Sequence, residues 1–287
     1  MTQSTQSANV RALMQDFSLE MTGKDVEALR EAAPSIPAGT RINVTFLGNE
    51  DLDMRVTAAK AVKELGFIPV PHISARRLRS EDELKEFLQA LADVDAVKHV
   101  FAVGGDPAEP MGPYGSSLEM LQSGIFAQYG VEDVSIAGYP EGHPDISDEV
   151  LARELKGKVE LLAEQNLSAV ILTQFGFDTD PVAQWLNELA AQNISTPIRI
   201  GVPGPAGIKR LLGYAKRFGV ASSAGIVKKY GFSLTNLMGS AGPDKFLRNL
   251  AEEVAVSNYQ GNVGVHFYTF GGMAKTAEWA QDFTNNL

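Results

Sequence analysis

Short apolar runs alternate with helix-like segments along the whole chain. This alternation restricts the fold more than any other feature of the 287 residues. Residues 15–20, 41–47, 67–73, 99–106, 134–140, 168–174, 197–203 and 263–269 read as strands. The segments between and after them predict helices over 25–33, 52–65, from Ser80 onward, 116–129, 147–165, 180–192, 206–218, 221–260 and 273–283. Gly66 ends one helix, and Ser80 with Glu83 forms a capping box at the start of another. Strand–helix alternation implies a parallel sheet, and near-continuous apolar strands imply that both of its faces are covered. Eight such units fit an α/β fold closed into a (β/α)8 TIM barrel with extra helices, an architecture of about 250 residues. A doubly wound open sheet, the rival arrangement, usually has fewer units. With no low-complexity tract or linker, residues 1–287 are expected to form one domain, with 1–14 an N-terminal arm or a helix lying on the barrel.

Composition narrows the function classes. Lys+Arg number 25 against 35 Asp+Glu, a formal charge of −10. That disfavours nucleic-acid binding through overall charge but leaves room for a local basic pocket. There is no cysteine, so disulfides, thiolate nucleophiles and Cys-ligated zinc or iron–sulfur centres are excluded. His72, His99, His143 and His266 form no close pair in sequence, and no metal is expected. No apolar run approaches the about 20 residues of a membrane span. Met1 to Val10 lacks the apolar core of a secretory signal. The expectation is a cytoplasmic protein with neither nucleic acid nor membrane as partner.

Active sites of such barrels lie at the C-terminal ends of the strands. Those ends carry Glu20, Thr45 with Asn49, His72, Asp106, Tyr139 with Glu141 and His143, Gln174, and Tyr268. Polar groups at nearly every end of one rim describe a pocket. A carboxyl such as Glu20 at the mouth of an apolar barrel is partly desolvated, which favours the protonated form and suits a general acid. From position alone, a solvated loop glutamate is the simpler reading. Asp106 follows two glycines that either admit a ligand to the backbone or permit a tight turn. YPEGHP (139–144) presents a phenol, a carboxylate and an imidazole on a stiffened segment. The Gln174 amide can donate and accept at the edge of a heterocycle, or satisfy a neighbouring backbone group. GVPGPAG (201–207) is either an anion-binding nest or a plain turn. Lys156 and Lys158 can reach a phosphate from the helix after YPEGHP, although helix lysines are more often solvated. Neither a Walker A motif nor a Rossmann fingerprint is present.

Taken together, FSLE (17–20), VTFLGN (44–49), PHI (71–73), GGDP (104–107), YPEGHP (139–144), TQFGFD (173–178) and HFYT (266–269) resemble, in order, the strand-end motifs of the flavin-dependent methylenetetrahydrofolate reductases. The resemblance spans about residues 15–285. It implies a TIM barrel with FAD at the C-terminal rim, Glu20 as general acid, and Asp106 beside flavin and folate. Gln174 would meet folate and the nicotinamide donor in turn, and Thr45 the nicotinamide. Cofactor contacts would come from Thr45, Phe46, His72, Gly105, Asp106, Tyr114, Gly115, Ser116, Tyr139, His143 and Lys158. Substrate contacts would come from Asp106, Gln174, Arg210 and Tyr214.

The chain departs from the family pattern in several places. Gly104 stands where an arginine often precedes Gly-Asp, and Gly271-Gly272 where Asn-Arg tends to follow HFYT. Arg210 replaces a glutamine, and Met21-Thr22-Gly23 replace an aromatic and prolines. The implied activity is FAD-dependent reduction of 5,10-methylenetetrahydrofolate to 5-methyltetrahydrofolate with NAD(P)H. Separately, a homo-oligomer is expected, with the surplus segment 221–260 available for a subunit contact. One alternative is a flavin- or folate-binding barrel without reductase activity, serving a methyl-transfer system. Another is a cofactor-free lyase using Glu20 and His143.

Overall fold

A computed structural model describes residues 3–217 and 240–287. Eight parallel strands close into a barrel: β1 (Ser18–Met21), β2 (Arg41–Val44), β3 (Ile68–Ser74), β4 (His99–Val103), β5 (Asp133–Gly138), β6 (Ser168–Phe175), β7 (Ile198–Pro203) and β8 (Val263–Tyr268). Each strand pairs with its neighbours in sequence, and β8 closes the ring against β1. The expected TIM barrel is therefore the fold.

The helices start where short polar side chains cap them. Asp51, Ser80, Ser116, Ser147 and Asp178 each accept a backbone N–H at the N-terminus of the helices Leu52–Glu64, Glu81–Asp93, Ser117–Gln122, Asp148–Glu164 and Thr179–Ala191. Such a cap contributes about 1 kcal/mol. The N-terminal helix Gln3–Met14 lies on the barrel and buries Val10, Leu13 and Met14.

Several expected boundaries shift. The first strand begins at Ser18 and β2 stops at Val44, so Thr45 and Phe46 belong to the rim loop. The helix expected over 116–129 breaks after Gln122, because Gly124 turns left-handed at φ +66° before a short turn at Phe126–Tyr129. Ala206–Gly207 pair antiparallel with Ser240–Ala241, so the next helix is Ile208–Arg217. The segment 221–260 is not wholly helical. Its part up to 239 lies outside the described residues, Gly242-Pro243 interrupts, and the helix is Asp244–Val256.

Alternate residues of each strand face outward. Leu19, Ile42, Ile73, Val100, Val134, Ile171, Ile200 and Val265 join the main core under the helices. Inside the barrel, Val70, Phe101 and Leu172 form a separate small apolar cluster. The β1–β2–β8 side of the interior is polar, with Ser18, Asn43 and His266 all buried. At the floor, Arg41 pairs with Asp133 and Arg199 with Asp16, beside a cavity of about 830 Å³. A TIM-barrel interior ordinarily filled by branched apolar side chains is here half polar, and the polar half leads to the C-terminal rim.

Candidate active site

Glu20 is the penultimate residue of β1 and faces into the barrel mouth, with its side chain 18% exposed. Its Oε2 lies 3.9 Å from His72 Nε2 on β3 and 3.7 Å from His266 Nε2 on β8. Each ring nitrogen is buried without a hydrogen-bond partner. Burial pushes His72 down to about 4 and also lowers His266, against the opposing pull of the Glu20 charge. Both imidazoles are therefore neutral at pH 7. Ser18 Oγ is 2.8 Å from His266 Nδ1, and Thr269 Oγ1 donates to the Glu20 carbonyl at 2.7 Å. Tyr268, on the same face of β8 as His266, donates its phenol to the Thr173 carbonyl, and burial raises its pKa well above the usual value.

Gln174 sits at an irregularity in register between β6 and β7, a device that re-aims a side chain at a strand end. Its Oε1 accepts the next backbone N–H, from Phe175. Tyr139 and His143 meet edge to face at 5.4 Å, burial raises the Tyr139 phenol, and His143 Nδ1 accepts the Asp145 N–H. Glu141 is a strut between loops, accepting the Phe177 N–H across the β5–β6 gap.

Asp106 follows Gly105, whose φ of +98° disfavours any side chain and which lies directly under the Ser74 hydroxyl. The Asp106 carboxylate is 76% exposed and pairs with Arg77 at 2.5 Å. Arg76 donates to the carbonyls of Pro107, Ala108 and Gly115, and so clamps the loop after β4.

Several of the other expected contacts pack or bond within the chain. Phe46 turns onto the Arg55 guanidinium, 3.5 Å from its ring centre, and onto Phe87 in the helix layer. Tyr114 is buried in the main core. The Gly115 carbonyl is taken by Arg76, and Ser116 caps a helix. Lys158 is buried on its helix, which lowers its pKa against the pull of Glu154. Arg210 donates to the Phe270 carbonyl, and Tyr214 stacks on Phe270 at 3.9 Å. His143 is not part of the Glu20 cluster, whose imidazoles are His72 and His266.

Residues to which the motifs gave no role complete the mouth: Ser18, His266, Arg76, Arg77 and Phe270. Period-two alternation carried the signal for the first two. Ser18 shares a strand face with Glu20, and His266 with Tyr268.

The mouth also offers what a flat, polar cofactor needs. Asn43 Oδ1, Thr45 Oγ1, His72 Nε2 and Ser74 Oγ are buried without partners. A side chain built on Gly104 would meet nothing within 4 Å, so the backbone there is open to a ligand. These residues fit a flavin at the rim. Among the described residues no helix is long and apolar enough to cross a membrane, and no group of three His, Asp or Glu is placed to hold a metal ion.

The chain is 25% identical over 236 residues to the 5,10-methylenetetrahydrofolate reductase of Salmonella typhimurium, covering 79% of this chain and 75% of that protein. Over 178 residues it is 26% identical to the Pectobacterium carotovorum enzyme of the same name, where the match covers 61% of this chain and 57%, less than two thirds, of the relative. A match to a probable rice methylenetetrahydrofolate reductase (NADH) is 30% identical over 138 residues and covers 44% of this chain and 23% of that protein. Among solved structures, an uncharacterised Clostridium thermocellum protein that binds two copies of 5-methyl-5,6,7,8-tetrahydrofolic acid superposes with a TM-score of 0.58 at 10% identity, over 96% of this chain and 99% of that one. This likeness is one of fold. The family model for methylenetetrahydrofolate reductase matches residues 12–231, and the chain belongs to that family.

Proposed function

We propose that this chain binds FAD at the C-terminal rim and reduces 5,10-methylenetetrahydrofolate to 5-methyltetrahydrofolate with NADH or NADPH, the two substrates taking turns at one site. FAD, when bound, supplies the hydride chemistry, accepting from the nicotinamide and delivering to the folate. The chain supplies binding, orientation and a proton. Thr45, His72, Gly105, Tyr139, His143 and Lys158 would hold the cofactor. Glu20 donates a proton to the bridged folate, which opens its five-membered ring to an iminium ion. The exposed Asp106 carboxylate favours that cation, and Gln174 offers its amide to a heterocycle edge. The observation that carries this reading is the single carboxylate between two neutral imidazoles at the mouth of a barrel of this family.

A second reading keeps the ligands and drops the reaction: a flavin- or folate-binding barrel in a methyl-transfer system. Gly104 and Gly271-Gly272 motivate it, since two cations of the family pattern are missing there. The fold likeness to a protein that binds methyltetrahydrofolate is compatible with it. Anaerobic titration separates the two. The reductase should bleach with NAD(P)H and recover its flavin spectrum on addition of methylenetetrahydrofolate. A flavin that stays oxidised under NAD(P)H removes the reductase reading, and protein that takes up no flavin removes the flavin-dependent form of both.

A further inference from the structure

The structure gives Glu20 a rear partner that the proposed reaction has not used. Ser18 and His266 are register partners on β1 and β8, both fully buried. The Ser18 hydroxyl meets His266 Nδ1 at 2.8 Å, and the opposite ring nitrogen, otherwise unpartnered, faces Glu20 Oε2 at 3.7 Å. Catalytic hydrogen bonds are often this long before ligands bind. We propose that Ser18 and His266 are positioning residues that return a proton to Glu20 from inside the barrel, through an exchange of the His266 tautomer. The proposal rests on Glu20 being the acid of the proposed reaction.

A neutral imidazole carries one N–H, so the two flanking groups must agree on where it sits. With Glu20 ionised, Nε2–H points at the carboxylate and Nδ1 accepts the Ser18 O–H. With Glu20 protonated, the carboxyl O–H points at Nε2, and Nδ1–H donates to Ser18 Oγ. Passing from the first state to the second adds one proton. It is taken up by Ser18 Oγ from water while the Ser18 proton moves to Nδ1 and the Nε2 proton moves to Glu20 Oε2. His266 gains and loses a proton in the same event and never holds a net charge, in keeping with its burial.

The geometry also supplies a reason for such a route. Flat ligands stacked on the rim would cut Glu20 off from solvent on that side. Below Ser18 the interior is polar, and Arg41, its register partner on β2, lines the floor cavity together with Gly264 of β8. The ionisable groups facing Glu20 are His72 of β3 and His266 and Tyr268 of β8, with the Arg199 charge of β7 felt by His266. The His72 ring packs edge-on against Phe101 and holds the other side of Oε2.

Nitrogen NMR of histidine-labelled protein tests the array without cofactor. His266 should stay neutral and change from Nε2–H to Nδ1–H as the pH falls, and in Glu20→Gln it should keep one tautomer throughout. A tautomer that ignores pH in the wild type, or that changes alike in Glu20→Gln, overturns the proposal. For the holoenzyme, the ratio of folate-dependent reoxidation to NAD(P)H-dependent reduction should fall about tenfold in Ser18→Ala, short of the about 10²–10⁴ expected from removing the acid itself. An unchanged ratio, with the variant folded by circular dichroism, overturns the relay. Wild-type protein that does not reduce methylenetetrahydrofolate at all would defeat the proposed function, and the NMR result alone then decides whether the array exists.

Discussion

Gly271 occupies a position where the backbone leaves no space for a side chain. A Cβ there would lie 1.8 Å from the Pro205 carbonyl oxygen, and real contacts of this kind do not fall below 3.0 Å, so Gly271→Ala must open the gap by about 1.2 Å. Pro205 stands in a stiff turn just ahead of the helix Ile208–Arg217, so the loop after β8 is the part that gives way. That loop holds the Arg210 hydrogen bond to the Phe270 carbonyl and the stack of Phe270 on Tyr214. A stacked aromatic pair contributes about 0.5–1.5 kcal/mol. The exposed hydrogen bond adds about 0.5–1.5 kcal/mol. The variant should lose about 1–3 kcal/mol, lowering Tm by about 2–5 °C for a domain of this size. Thr269, in the same loop, donates to the Glu20 carbonyl, so folate-dependent turnover should fall along with stability. Thermal and urea unfolding of Gly271→Ala, beside the folate assay, is the measurement. Wild-type Tm and turnover would refute the claim that Gly271 is required by close backbone approach.

Three further predictions concern the mouth. Glu20→Gln keeps shape but removes the donated proton, so NAD(P)H should still reduce the flavin while folate-dependent reoxidation falls by about 10² or more; equal loss in both half-reactions would assign Glu20 a folding or flavin-binding role instead. If FAD sits at the rim as proposed, Asp106→Asn removes a negative charge beside it and should raise its potential while slowing transfer to folate. Because the carboxylate is mostly exposed and paired with Arg77, the rise should be about 20 mV, the equivalent of an exposed pair worth about 1 kcal/mol; a potential that falls or stays put, with folate reduction intact, takes Asp106 out of the site. His72 binds its proton more weakly folded (about 4) than unfolded (6.5). Its contribution is thus fully present above about pH 6.5 and lost as pH falls toward 4, on the order of 3 kcal/mol in all. His72→Gln should flatten that part of the stability–pH curve measured by urea unfolding, and an unaltered slope would mean His72 is not the neutral buried group described.

The order of elements was legible because strand and helix periods differ and because capping residues mark helix starts. Boundaries failed where one residue outweighs a pattern. Gly124 ends a helix whose apolar spacing continues to Tyr129, and Gly242-Pro243 interrupts a segment otherwise rich in helix formers. In the candidate site, Glu20, His72 and Tyr139 could be picked out, since each is a polar side chain at or near a strand end among apolar neighbours. His266 was not, because it lies within an apolar run and reads as one core position among several. Its partner Ser18 is small and sits in an equally buried strand. Only closure of the barrel brings β8 beside β1, and that contact, separated by 248 residues along the chain, leaves no local pattern.

Among the glycine departures from the family pattern, Gly271 and Gly104 have different physical standing. Gly271 is demanded by the fold, since the Pro205 backbone occupies the space of any side chain. Gly104 is not, since a Cβ there meets nothing within 4 Å and its backbone is not in the left-handed region. The charge absent from Gly104 nevertheless has a counterpart one strand over. Arg76 and Arg77 end β3 in a short helical turn, Arg76 fixing the loop after β4 and Arg77 pairing with the carboxylate two residues beyond Gly104. Arg77 also lies so close over Gly48 that a side chain at Gly48 would strike its guanidinium at 2.3 Å. A cation thus reaches Asp106 from β3 rather than from β4, across a glycine that leaves room for it. A loss at one strand end and a gain at its neighbour leave the rim with a guanidinium beside the same carboxylate, so the missing arginine at Gly104 is weak evidence against a flavin there.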